Sequence, residues 1–121
     1  MTEDAFNHDL GLRILGKYFD ALTSLDANNI AGLFAEGGEI EDPVGSPLRR
    51  GRHAIAEYWA TGLCAVASRI EIEVLVALPA GNSIAAHWRM TAQARSGGTA
   101  DAEGIDVLRF DDHGLIHRAE G

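Results

Sequence analysis

The sequence predicts an α+β fold in which three helices from the N-terminal half cover one face of a curved antiparallel sheet. Two observations carry this. Apolar residues recur at three- and four-residue steps in the first half of the chain, and from residue 69 onward they alternate at period two. Helices first and a long meander afterwards give an α+β layout. Residues 1–121 are expected to form a single domain, because a chain of this length, 46% hydrophobic, buries about two thirds of its unfolded surface around one core.

The first helix is expected over 9–25, where Leu10, Ile14, Leu15, Tyr18, Phe19, Leu22 and Leu25 make one buried stripe. Asp26 then caps a second, short helix through Ile30, Leu33 and Phe34, which Gly37-Gly38 stops. Glu39-Ile40-Glu41-Asp42-Pro43 reads as a short strand closed by a proline that cannot donate to a ladder. A third helix follows over 53–63, with Gly51 just before it and Gly62 inside its last turn. The next strand places Ile70, Ile72, Val74, Val76 and Leu78 on one face and Arg69, Glu71, Glu73, Leu75 and Ala77 on the other. Pro79-Ala80-Gly81-Asn82 turns the chain into a strand over 83–94, and Ser96-Gly97-Gly98 turns it back into one over 101–110. Asp111-Asp112-His113-Gly114 leads into a final short strand.

Composition narrows the function. Eighteen acidic against ten basic residues give a net charge of −8, a field that repels phosphate backbones, so no nucleic-acid partner is expected. One cysteine, Cys64, excludes an intrachain disulfide framework and any cysteine-rich zinc site. The histidines show no metal-ligand spacing, and no metal site is predicted. No apolar run approaches the roughly 20 residues of a membrane span, and the N-terminus lacks a basic and an apolar leader segment, so a cytoplasmic protein without membrane attachment is expected.

Chemistry is suggested by polar groups on apolar faces. In Ile105-Asp106-Val107-Leu108-Arg109-Phe110, alternation groups Asp106 with Leu108 and Phe110. Two readings are open: a buried acid kept neutral and able to donate a hydrogen bond, or an aspartate paired with Arg89, Arg109 or a backbone turn. Asp42 shares a face with Ile40 at a strand end, either as an inward carboxylate or as a turn residue capping Val44 or Gly45. Tyr18 lies on the apolar stripe of the first helix, as a polar group of an interior or as a core residue whose hydroxyl reaches solvent. Arg49-Arg50-Gly51-Arg52 is either a solvated loop or an anion site at the start of the third helix.

Four stretches together resemble the bacterial Δ5-3-ketosteroid isomerases in order and spacing: Lys17-Tyr18-Phe19-Asp20-Ala21-Leu22; Leu33-Phe34-Ala35-Glu36 with Ile40-Glu41-Asp42-Pro43-Val44-Gly45; Gly51-Arg52-His53-Ala54-Ile55-Ala56-Glu57-Tyr58-Trp59; and Ile105 to Gly114. The resemblance spans nearly the whole chain and implies the cone-shaped nuclear transport factor two-like, SnoaL-like roll. By position it implies Asp42 as the base and Tyr18 and Asp106 as donors to an oxyanion, a chemistry for which ketosteroid isomerase is itself the standard illustration. It further implies an apolar pocket walled by Phe34, Trp59, Leu63, Trp88 and Met90, a small apolar ketone or steroid-like ligand, no cofactor, and a homodimer. Where some members place tyrosines that support the oxyanion tyrosine, this chain has Phe34 and Trp59. Other activities expected on the same fold are polyketide cyclisation, epoxide opening and non-catalytic binding of small molecules.

Overall fold

The computed structural model describes residues 6–121. Their elements run α1 His8–Ser24, α2 Ala27–Ala31, β1 Phe34–Glu41, β2 Arg49–Arg50, α3 Arg52–Thr61, α4 Leu63–Val66, β3 Ala67–Ala80, β4 Ser83–Ala94, β5 Thr99–Phe110 and β6 Ile116–Glu120. The strands form one open, curved sheet in the order β2-β1-β6-β5-β4-β3. Pairing is antiparallel except between β1 and β6, which run parallel. The mixed α+β architecture is thus as predicted. No helix among the described residues is long and apolar enough to cross a membrane.

Helix α1 starts where Asn7 Oδ1 accepts the Leu10 N–H at 2.8 Å. It ends one residue earlier than expected, because Leu25 turns left-handed (φ 56°) and closes the helix with its N–H on Leu22 O. Its stripe, Leu15, Tyr18, Phe19 and Leu22, packs with Ile84, Ala86, Leu108, Phe110 and Ile116 from the inner face of the sheet, and this contact is the core.

Three expectations are corrected. The second helix, capped by Asp26 as predicted, stops at Ala31, and Phe34 opens a strand instead of closing a helix. Helical spacing of Leu33 and Phe34 is overridden by a distant partner: Ile116 N–H donates to Leu33 O at 3.0 Å, and Phe34 lies opposite Ile116. Gly37-Gly38 therefore sits inside β1, at a register irregularity between Phe34 and Glu39. The third helix breaks at Gly62, whose backbone (φ −99°, ψ −106°) separates α3 from the short α4. Arg49 and Arg50 form an edge strand on β1, with Arg50 paired to Glu39, and not a free loop.

A fourth correction concerns β3. Val74 lies opposite Trp88 and Val76 opposite His87, so Leu75 is an extra residue in the ladder. A single inserted residue exchanges the two faces for everything beyond it. Ala77, expected outside, packs on the core opposite buried Ala86, while Val76 and Leu78 point outward, 46% and 63% exposed.

Candidate active site

A cavity of about 350 Å³ lies between the helices and the inner face of the sheet. Phe19 and Leu22 reach it from α1, Tyr58 and Trp59 from α3, and Gly62, Leu63 and Val66 from the break and α4. Ile72, Trp88 and Met90 come from β3 and β4, and Asp42 and Asp106 supply its two carboxyls. A larger depression of about 660 Å³, between the end of α1, α2 and α3, is a shallow surface groove lined by such residues as Asp26, His53 and Glu57. The carboxyl pair lies in the smaller, more enclosed space, and the site is assigned there.

Asp106 is delivered to the interior by the alternation of β5, between buried Leu108 and the cavity. At 7% exposure it is the one charged or polar residue buried among the described residues. The arginine pairing does not occur: Arg89 lies near Glu73 and Glu103, and Arg109 near Glu120. Its partner is Trp88, whose Nε1 donates to Oδ1 at 3.1 Å. Burial pushes the Asp106 pKa up to about 7, with the indole bond pulling down and the charge of Asp42 pushing up.

Asp42 follows β1 and precedes Pro43 through a cis peptide bond. It does not cap the turn, because Glu41 Oε2 accepts the Gly45 N–H at 2.8 Å and Gly121 O accepts that of Val44 at 2.8 Å. No hydrogen bond among the described residues engages its carboxyl, which is thus left to the cavity. Burial raises its pKa and the positive charge of Arg49 opposes this.

Tyr58, which helical spacing presented only as part of an apolar face, is a cavity residue that the sequence did not single out. Its hydroxyl donates to the backbone oxygen of Asp42 at 2.7 Å, and the Arg49 guanidinium stacks 4.5 Å from its ring centre. Both partners come from the distant β1–β2 connection, so no local signal could have marked it. The four residues of Arg49-Arg50-Gly51-Arg52 are accounted for by such internal contacts, with Arg52 Nε donating to Phe34 O at 2.8 Å.

Tyr18 is 1% exposed and lies beside cavity-lining Phe19, edge-on to Phe19 and Phe34 at 5.5 and 6.2 Å between ring centres. Its hydroxyl makes no hydrogen bond to the described residues and is not among their fully enclosed unpaired polar atoms, so it is left open to a ligand. Burial raises its pKa well above the usual value, and the charges of Asp106 and Asp42 raise it further, so the phenol lies within electrostatic reach of both carboxyls. Among the predicted walls, Trp59, Leu63, Trp88 and Met90 line the cavity. Phe34 does not. Having entered β1 rather than α2, it is fully buried in the core beneath Tyr18.

A family model described as a SnoaL-like domain matches residues 15–119. The steroid Delta-isomerase of Nocardioides simplex is 32% identical over 102 residues, covering 84% of this chain and 80% of that protein. A Mycobacterium tuberculosis protein solved in complex with estradiol-17β-hemisuccinate superposes with a TM-score of 0.80 at 21% identity, over 93% of this chain and 92% of that one. The epoxide hydrolase/cyclase-like enzyme SalBIII, of pyran ring formation in the polyether salinomycin, superposes at 0.82 with 24% identity, over 94% and 90%. The likeness to these two structures is one of fold. With the family model covering most of the sequence and an isomerase relative aligned along four fifths of it, the chain belongs to the SnoaL-like domain family.

Proposed function

We propose that the protein is a steroid delta-isomerase that moves a carbon–carbon double bond into conjugation with a ketone. The observation that carries this reading is the pair of unlike carboxyls in one apolar cavity: Asp106, buried without a cation and with its pKa pushed up to about 7, and Asp42, less buried, free of hydrogen bonds and with the positive charge of Arg49 opposing the rise that burial causes. Asp42 takes a proton from the carbon between the ketone and the double bond, and the same carboxyl returns it two carbons along. The dienolate oxygen accepts hydrogen bonds from protonated Asp106 and from Tyr18. A general base contributes about 10²- to 10⁴-fold, and each well-placed donor about 3 kcal/mol. Trp59, Leu63, Trp88 and Met90 offer flat apolar walls, and about 350 Å³ falls in the usual range of small-molecule sites. The likeness to an isomerase relative supports the same reading.

Within this proposal residues 1–121 act as one ketosteroid isomerase-like domain, cytoplasmic, cofactor-free and homodimeric. Support for association comes from the outer sheet face, where Val76, Leu78 and Ile105 are exposed together. A second reading draws on the same carboxyl pair. In epoxide opening, Asp106 would protonate the ring oxygen while Asp42 activates the attacking group.

The test is the absorbance rise of a conjugated enone when the protein meets 5-androstene-3,17-dione, wild type beside Asp42→Asn. Turnover in the wild type, lost by at least about 10²-fold in the variant with binding of estradiol retained, is the expected result. Unchanged turnover in Asp42→Asn removes the base assignment. Absence of turnover with estradiol still bound turns the proposal toward another substrate for the same cavity.

A further inference from the structure

Trp88 and Gly104 face each other across β4 and β5. The indole lies on the bare α-carbon of the glycine: a side-chain carbon there would stand 2.6 Å from Trp88 Cζ2 and 3.1 Å from Cη2. Any residue but glycine would displace the ring. From that seat the indole reaches two residues along β5 and donates from Nε1 to Asp106 Oδ1 at 3.1 Å. The same oxygen is closed off from another side by Gly121, where an added side-chain carbon would collide with Oδ1 while standing 3.6 Å from Oδ2. Gly121 is fixed in turn, its N–H on Glu41 O and its own oxygen accepting from Val44. An indole N–H can only donate, so Oδ1 is the acceptor in this pair, and the carbonyl oxygen of a neutral acid is a stronger acceptor than its hydroxyl oxygen. In the neutral acid the proton therefore sits on Oδ2.

Building on the reading of Asp106 as an oxyanion donor, we propose that Trp88, seated over Gly104, is a positioning residue that reserves Oδ1 as acceptor and leaves Oδ2 as the one oxygen able to present the acid proton to a ligand. The arrangement has a side effect of opposite sign. A donor aimed at a carboxylate favours its ionised form, so the bond that orients Asp106 also narrows the pH range over which Asp106 can donate. The other titratable groups facing Asp106 are Tyr18 from α1, Asp42 after β1 and Tyr58 from α3, with Arg49 beyond Tyr58. Substitution at 88 or 104 leaves all of these in place.

The experiment is a carbon-13 carboxyl NMR titration of Asp106 in the wild type, Trp88→Phe and Gly104→Ala. Losing a hydrogen bond to a charged group should raise the midpoint by about one pH unit in both variants, although the second still carries its indole. In the wild type, needing no substitution, the Trp88 indole N–H resonance should titrate with the Asp106 midpoint. A midpoint unmoved or lowered in Trp88→Phe, or an indole resonance indifferent to Asp106, overturns the proposal. Estradiol binding across the same pH range tests the underlying function separately. An alkaline limb that moves up with the carboxyl midpoint supports both. A shifted midpoint without estradiol binding in any protein rejects the steroid reading and leaves the positioning role standing.

Discussion

At Asp106 the site and the fold make opposite demands. Its pKa in the folded chain is about 7 against an ordinary 3.8, chiefly through burial. An acid whose pKa is raised by folding binds its proton more tightly in the folded state, so the unfolded state carries fewer protons between those two values. The contribution of Asp106 to stability is therefore highest below pH 3.8, falls as pH rises to about 7, and is level above it. A window of about three pH units corresponds to a cost on the order of 4 kcal/mol at neutral pH. Asp106→Asn removes the titration. In urea unfolding the variant should gain on the wild type as pH rises from 4 to 8, and a difference independent of pH would reject this account. In the same pH series, isomerase turnover of the wild type should decline above about pH 7 and that of Asp106→Asn should not. Tyr18→Phe, which removes one donor, should lower kcat by about 10²-fold in steady-state assays with the fold intact. The inward aspartates were legible because strand alternation places every second residue on one face, and an acid among leucine and phenylalanine stands out. Trp88 showed only as an apolar wall of the pocket, and Tyr58 only as an apolar member of its helix. Their hydrogen bonds run to residues 18 and 16 positions away, where sequence spacing says nothing.

Among the elements, β1 sets where Asp42 emerges, and its course depends on a glycine that periodicity assigned to the end of a helix. A side-chain carbon at Gly38 would stand 2.9 Å from Ala35 O, 3.0 Å from Ile116 O and 3.2 Å from Phe34 Cβ. Two of these neighbours are backbone atoms of the β1–β6 pairing and cannot swing away. Gly37, one residue earlier, has open space. Gly38→Ala should therefore cost about 1–3 kcal/mol in chemical denaturation and loosen the Asp42 site, while Gly37→Ala stays near neutral. Equal effects at the two positions would mean that the register irregularity carries no constraint. The same comparison explains which parts of the fold could be read in advance. The stripe of α1, the Asp26 cap and the long alternating strands are local patterns and came through. The end of α2, the start of β1 and the extra residue in β3 are set by partners far along the chain. Leu33 and Phe34 fit a helix until Ile116 arrives beside them, and the alternation of β3 continues unbroken through a bulge that reverses its faces.

For the whole molecule, that reversal decides which apolar residues face outward. Ala77, read as outward, is drawn inward, Leu75 is the extra residue of the bulge, and the outer face instead carries Val76 and Ile105 on either side of His87, with Leu78, Ala85 and Val107 in the next cross-strand row. Val76, Leu78 and Ile105 are 46%, 63% and 62% exposed. His87 lies within the patch, hydrogen-bonded at 2.9 Å to Glu103, and the Arg109–Glu120 ion pair stands at its border. An apolar patch with a polar rim is the form of an association surface. Two copies bring −8 against −8, a repulsion that salt screens. Sedimentation velocity should thus find a dimer whose dissociation constant falls as salt is raised. Ile105→Glu and Leu78→Glu should shift it to monomer with the circular dichroism spectrum unchanged. Because none of these residues lines the cavity, the monomeric variants should still bind estradiol. A wild type that stays monomeric across micromolar concentrations and all salt levels would remove the dimer and leave the proposed chemistry of Asp42 and Asp106 untouched, since every group it uses comes from one chain.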